Sequence, residues 1–243
     1  MSDTVIIDAV RTPLGKGRPA GALAGLHPVD LLAHALAALV ERTGIDPRVI
    51  DDVIAGCVSQ IGEQSTNIAR RAVLAAGYPE RVPATTVDRQ CGSAQQAIHF
   101  AAQGVLAGAY DVVVAGGVES MSHVPMGSGV AGADLDGTRL SERYPHGFVP
   151  QGISAELIAA RWGIGRSALD AFSLTSQQRA AAARDAGHFD HEIVPLKVAG
   201  ARSHRLGPSA GRVRGSIDRD AIGLQVICEA GGLANAMVIE RLP

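Results

Sequence analysis

Residues 111–115 read DVVVA, an apolar run with no polar residue between its valines. A strand with one wet face alternates apolar and polar side chains. An uninterrupted run is instead buried on both faces, as in a largely parallel sheet covered by helices. Parallel neighbours need crossover connections, and the residues before this run supply them. Residues 52–58 (DVIAGCV) and 84–87 (ATTV) read as strands, and residues 5–10 (VIIDAV) as a further strand at the start. Residues 30–43 (DLLAHALAALVERT), 67–76 (NIARRAVLAA) and 92–106 (GSAQQAIHFAAQGVL) carry apolar residues at helical spacing. Asp30 stands near the start of the first helix, and Gly44 and Gly77 follow the ends of the first two as stops. Residues 1–117 are therefore expected to form an α/β layered domain.

Beyond that point the pattern changes. Residues 116–150 are rich in Gly, Ser, Pro, Met and His and show no period, and a loop this long is either functional or disordered. Helical spacing returns over 153–162 and 166–186, with Gly187 as a stop, so that 118–198 forms a second unit. Residues 199–222 are basic and rich in Gly, Ser and Arg, which on composition reads as a linker. Residues 223–243 hold two short apolar strands around Ala230-Gly231-Gly232, a hairpin without neighbours.

With 243 residues and 47% hydrophobic content the chain can bury a sizeable core. A formal charge of -2 offers no footprint for nucleic acid or an anionic membrane. The first residues lack the basic and apolar regions of a secretory leader, and no apolar run approaches the ~20 residues that cross a bilayer. The expected location is the cytoplasm. Cys57, Cys91 and Cys228 are odd in number and widely spaced, which suits neither a disulfide framework nor a zinc site.

Cys91 follows a strand and opens a helix, where a thiolate gains from the helix dipole and from the free N–H groups of the first turn, which can also hold an oxyanion. Position alone leaves a second reading open: a small buried residue that happens to start a helix. Cys228 precedes Glu229-Ala230-Gly231-Gly232, a turn whose N–H groups can line a small anionic pocket, or is simply a strand cysteine beside a hairpin turn. Acyl transfer needs a nucleophile, a proton shuttle and oxyanion donors, and two cysteines on Gly-rich turns supply much of that set. Of eight histidines, only His204 sits in a Gly-rich setting. No phosphate-binding Gly-rich fingerprint is present at a strand–helix junction.

Several stretches together resemble the thiolases, the acyl-CoA acyltransferases of fatty-acid and sterol-type β-oxidation. They are IIDAVRTPLGK near the start, VIAGCVSQIGEQSTNIAR at 53–70, VDRQCGSAQQA around Cys91, VVVAGGVESMSHVPM at 112–126, GISAELIAARWGIGR at 152–166 and GLQVICEAGG near the end. The resemblance covers nearly all of 3–198 and again 222–242. It implies the layered βαβαβ fold, with 118–198 as the loop domain over the pantetheine arm of the substrate. It also implies Cys91 as the nucleophile that takes the acyl group as a thioester, and Cys228 as the residue that exchanges a proton with the second substrate. The N–H groups of Cys91 and Ala230 would form one oxyanion hole, with Ala230 standing where the family usually has Gly. His204, in Ser203-His204-Arg205-Leu206-Gly207, is the candidate remnant of the catalytic base, with a linker histidine as the alternative. The substrate implied is an acyl-CoA or 3-ketoacyl-CoA with coenzyme A, without a permanently bound cofactor or metal, and the assembly implied is a homodimer or higher homo-oligomer.

The chain departs from the family in length. Nearly all of the second half is missing between about Leu196 and Gly200, and with it the Asn-Glu-Ala-Phe segment whose Asn holds a catalytic water. The expectation is therefore thiolase-type acyl transfer, of the degradative FadA-like group. The alternative is a shortened, catalytically impaired relative that binds acyl-CoA or oligomerises.

Overall fold

The computed structural model describes residues 4–198, 222–229 and 233–240. Three parallel strands, β1 (Asp52–Gly56), β2 (Ala84–Val87) and β3 (Val113–Gly117), form a sheet in the order β2-β1-β3. Val53 pairs with Ala84 on one side and Val114 on the other. The central strand is thus covered on both edges and both faces, which is why it lacks polar alternation.

Successive side chains of β1 point to opposite faces. Val53 and Ala55 join Leu32 and Leu36 of α1 (Pro28–Thr43) and Ile68, Ala72 and Val73 of α2 (Ile68–Ala75) in one apolar cluster. Ile54 faces the other way, onto Ala97 and Ala101 of α3 (Ser93–Leu106). The result is a helix–sheet–helix sandwich. The expected α/β class is observed, as are the helices and strands of 28–117 to within two residues at most ends.

The helix ends show how the sequence sets these boundaries. His27 caps α1, with Asp30 in its first turn: the His27 Nδ1 accepts the Val29 N–H at 3.2 Å, Pro28 occupies the first position, and Gly44 at φ +67° ends the helix. Asn67, at φ +60°, caps α2 by accepting the Arg70 N–H at 3.3 Å. Its amide also donates to the Ala84 carbonyl and accepts the Thr86 hydroxyl, each at 2.8 Å, and so stitches α2 to β2.

Residues 5–10 do not form the expected strand. Val5, Ile6 and Ile7 are 65–76% exposed, and the segment adds to neither edge of the sheet. An apolar run becomes a strand only where a neighbour offers its N–H and C=O groups, and here the ladder reaches only Arg11, which bridges Ile193. Arg11 also pairs with Glu192 at 2.6 Å, and Asp8 with Arg42. Between residues 8–17, α1 and the face of β3 lies a cavity of about 410 Å³.

The second unit is helical: α4 (Gly137–Arg143), α5 (Gln151–Arg161) and α6 (Arg166–Asp185). The short α4 falls in the stretch read as loop. Along α5 and α6 only Ala159 and Ala180 are buried. The tail forms the expected hairpin of β4 (Ile222–Glu229) and β5 (Leu233–Glu240), with Cys228 opposite Ala234.

Candidate active site

The strands of the parallel sheet end together at Gly56, Val87 and Gly117, and their following loops meet there. In open α/β sheets this carboxyl edge is where ligands bind. Cys91 lies on it, between β2 and α3, and is exposed, whereas Cys57 at the end of β1 is buried. The alternative reading of Cys91 as a buried packing residue does not hold; that description belongs to Cys57. Burial, with the Glu119 charge second, pushes the Cys57 thiol up to about 12 and keeps it protonated and inert.

The Cys91 turn is tightly held. Ser93 Oγ accepts the Arg89 N–H at 2.9 Å and donates to the Gln90 carbonyl at 2.6 Å, and Asp88 Oδ1 accepts the Gln90 N–H at 2.7 Å. Gln90 sits at φ +46°, a left-handed conformation that costs a non-glycine residue free energy and persists only where its surroundings impose it. The N–H groups of Gly92 and Ser93 donate to the Arg89 and Gln90 carbonyls, both at 3.0 Å. Cys91 itself stands in an isolated backbone bridge with Arg89. An exposed cysteine and the start of a 14-residue helix therefore share one turn.

Two glycines seat this helix against the sheet. A Cβ on Gly56 would lie 2.4 Å from the Ala94 nitrogen, and one on Gly117 only 2.8 Å from the Gly56 carbonyl oxygen. Only the absence of a side chain lets the first turn of α3 rest on the strand ends.

A carboxylate then closes the edge. Glu119, just past β3, accepts the Val58 N–H at 2.8 Å, the Ser59 N–H at 3.3 Å and the Gln64 amide at 3.0 Å. Gln64 is wholly buried; it also donates to the Ser59 carbonyl at 2.9 Å and accepts the Ser120 N–H at 2.6 Å. On the same loops His123 Nδ1 lies 2.5 Å and His27 Nε2 3.7 Å from Glu63 Oε2. Sequence reasoning passed over Glu119 and Gln64. Their one visible signal is an acidic residue two positions after the Gly-Gly that closes an apolar strand.

Of the other expected site residues, Cys228 lies in β4, while His204 and Ala230 fall outside the described residues. Among the described residues no group of three His, Cys, Asp or Glu side chains could hold a metal, and no helix is long and apolar enough to cross a membrane.

Residues 4–214 match the family described as thiolase, N-terminal domain, which takes in part of the segment that composition reads as linker. The chain is 48% identical over 245 residues to steroid 3-ketoacyl-CoA thiolase FadA6 of Mycobacterium tuberculosis, covering 98% of this chain and 59% of that relative. It is 45% identical over 197 residues to a 3-ketoacyl-CoA thiolase of Erwinia tasmaniensis, covering 81% of this chain and 50% of the relative. With a 3-ketoacyl-CoA thiolase of Bacillus subtilis the identity is 42% over 198 residues, or 82% and 50% of the two chains. The chain thus spans between half and three-fifths of the length of these curated relatives. A parallel helix–sheet–helix layer, a cysteine at the start of the helix on its carboxyl edge, and a family match over most of its length agree: the chain belongs to the thiolase family.

Proposed function

We propose that the chain carries out thiolase-type acyl transfer with Cys91 as the nucleophile. The observation that carries this reading is the exposed Cys91 sulfur on the carboxyl edge of the sheet, at the start of α3. The Cys91 thiolate attacks the 3-keto carbonyl of a 3-ketoacyl-CoA, forming the S–C bond and a tetrahedral oxyanion. Collapse of the oxyanion breaks the C2–C3 bond, leaving the acyl group on Cys91, and the departing acetyl-CoA carbanion takes a proton. The thiolate of coenzyme A then attacks the acyl-Cys91 thioester and releases the shortened acyl-CoA. The Cys91 N–H, with that of Ala230, stabilises the oxyanion; Cys228 supplies the proton and His204 deprotonates the incoming thiol.

The names of the relatives point to degradative 3-ketoacyl-CoA substrates, of fatty-acid or steroid type. Coenzyme A and acyl-CoA serve as substrates, not resident cofactors, and residues 118–198 cover the pantetheine arm. The reaction takes place in the cytoplasm, in a homodimer or higher homo-oligomer, and light scattering that finds a monomer at micromolar concentration would remove the assembly.

Intact-mass spectrometry after incubation with a 3-ketoacyl-CoA tests the chemistry. An acyl adduct on the native chain that is absent from Cys91→Ala is the expected result. No adduct on the folded native chain would leave a shortened, catalytically impaired relative that at most binds acyl-CoA or oligomerises.

A further inference from the structure

We infer that Glu119 is a positioning residue for the Cys91 turn, a role that rests on the reading of Cys91 as an acyl-accepting nucleophile. Four features of the carboxyl edge converge on this role.

Every group that meets the Glu119 carboxylate is a donor. Val58 N–H, Ser59 N–H and the Gln64 amide reach its two oxygens within 3.3 Å, and the Cys57 thiol stands 3.9 Å away. An ionised carboxylate only accepts, so its chemistry fits this ring, whereas a neutral amide in its place would turn an NH₂ against an N–H. Among the described ion pairs none involves Glu119. Its charge is met by N–H dipoles instead of a cation, an arrangement that aims it at the backbone.

The backbone it holds is the one the Cys91 turn stands on. Val58 and Ser59 follow Cys57, whose N–H donates to the Val87 carbonyl at 3.0 Å, and Val87 is the last residue of β2 before the turn 88–91. Gly56 presses on Ser93 and Ala94, and the Val118 N–H returns to the Gly56 carbonyl at 3.0 Å. Glu119 thereby joins the loop after β1 to the loop after β3 around the end of β2 and the first turn of α3. Gln64, wholly buried and with its amide engaged on both sides, braces it from behind. If the loop 57–59 shifts, the direction of the Cys91 N–H shifts, while the sulfur stays exposed.

Two reagents that both end on the Cys91 sulfur separate this role from mere support of the fold. p-Nitrophenyl acetate acetylates a thiolate through an oxyanion that the Cys91 N–H must hold, and needs no coenzyme A site. Iodoacetamide alkylates by displacement and forms no oxyanion. Because Cys57 is buried, its labelling reports loosening of the layer. Glu119→Gln is expected to slow Cys91 acetylation by about tenfold or more, toward the loss seen when an oxyanion donor is removed, while alkylation of Cys91 changes less than about twofold and Cys57 stays protected. Glu119→Asp, which keeps the charge on a shorter arm, should recover part of the loss, and serves alone if Glu119→Gln does not fold. Equal falls in both rates, labelling of Cys57 in step with the loss, unchanged acetylation in a folded variant, or a native chain that p-nitrophenyl acetate does not acetylate would each overturn the role. A native chain that is acetylated by p-nitrophenyl acetate but gains no adduct from 3-ketoacyl-CoA would instead sink the proposed function and leave the positioning role standing.

Discussion

Residues 28–117 and 118–198 both contain amphipathic helices, yet they put their apolar residues to opposite use. In the first region Ile68, Val53 and Val73 are essentially inaccessible, packed between two helices and a sheet. In the second, Leu157 on α5, Trp162 at its C-terminal end and Phe172 on α6 stand 59%, 64% and 78% exposed. The difference lies in what each helix meets. A strand layer offers a flat apolar face that covers a helix along its length, whereas α5 and α6 follow one another with only an alanine buried in each. Helical spacing therefore says which face is apolar, and only a facing layer turns that face into stability.

Substitutions on the two sides of this contrast should behave differently. Ile68→Ala in the layer is expected to cost about 2–5 kcal/mol, read from urea midpoints, because the cavity it opens is enclosed on all sides. A loss under about 1 kcal/mol would mean that the layer is looser than its burial implies. Gly56→Ala should follow at about 1–3 kcal/mol through overpacking against the α3 backbone, and should also change the labelling rate of Cys91, since the helix must move off the strand end.

A smaller effect concerns alkaline pH. Burial pushes both Cys57 and Tyr78 up to about 12. In the unfolded chain these groups lose their protons near about pH 8.5 and pH 10, so the unfolded state binds fewer protons across that range and stability falls as pH rises. Their contribution is complete below about pH 8.5 and is lost progressively toward pH 12. Cys57→Ala should flatten the lower part of the decline in urea midpoint; an unchanged slope would show that Cys57 is not shielded in solution. Smallest of all, Phe172→Ser on α6 should alter stability by less than about 0.5 kcal/mol. A loss comparable to Ile68→Ala would reveal that something covers that face in solution and would erase the contrast.

Much of the layer was legible because its signals are local. The valines of 113–114 mark a strand of the parallel layer, though as its edge strand it is only half-buried, and Gly44 ends α1 and Asn67 begins α2, each by the conformation of its own residue. His27 caps α1 because Pro28 starts the helix two residues earlier than the apolar spacing suggests, which leaves Asp30 in its first turn. Residues 5–10 were misread for the opposite reason. Their composition suits a strand, but pairing depends on an edge elsewhere in the chain.

The candidate site divides in the same way. That Cys91 opens a helix after a strand, and that the chain carries thiolase motifs in order, follow from the amino-acid sequence alone, since strand, helix and motif are properties of neighbouring residues. That Cys91 is exposed while Cys57 is buried was decided by the fold, because burial depends on which distant residues pack over a position. The meeting of Glu119 with Val58 and Gln64 was decided there too, since the parallel sheet brings together loops that lie more than 50 residues apart in the chain. Crossover connections place the carboxyl ends of successive parallel strands on one edge, and what gathers on that edge is set by strand order, which local spacing does not encode.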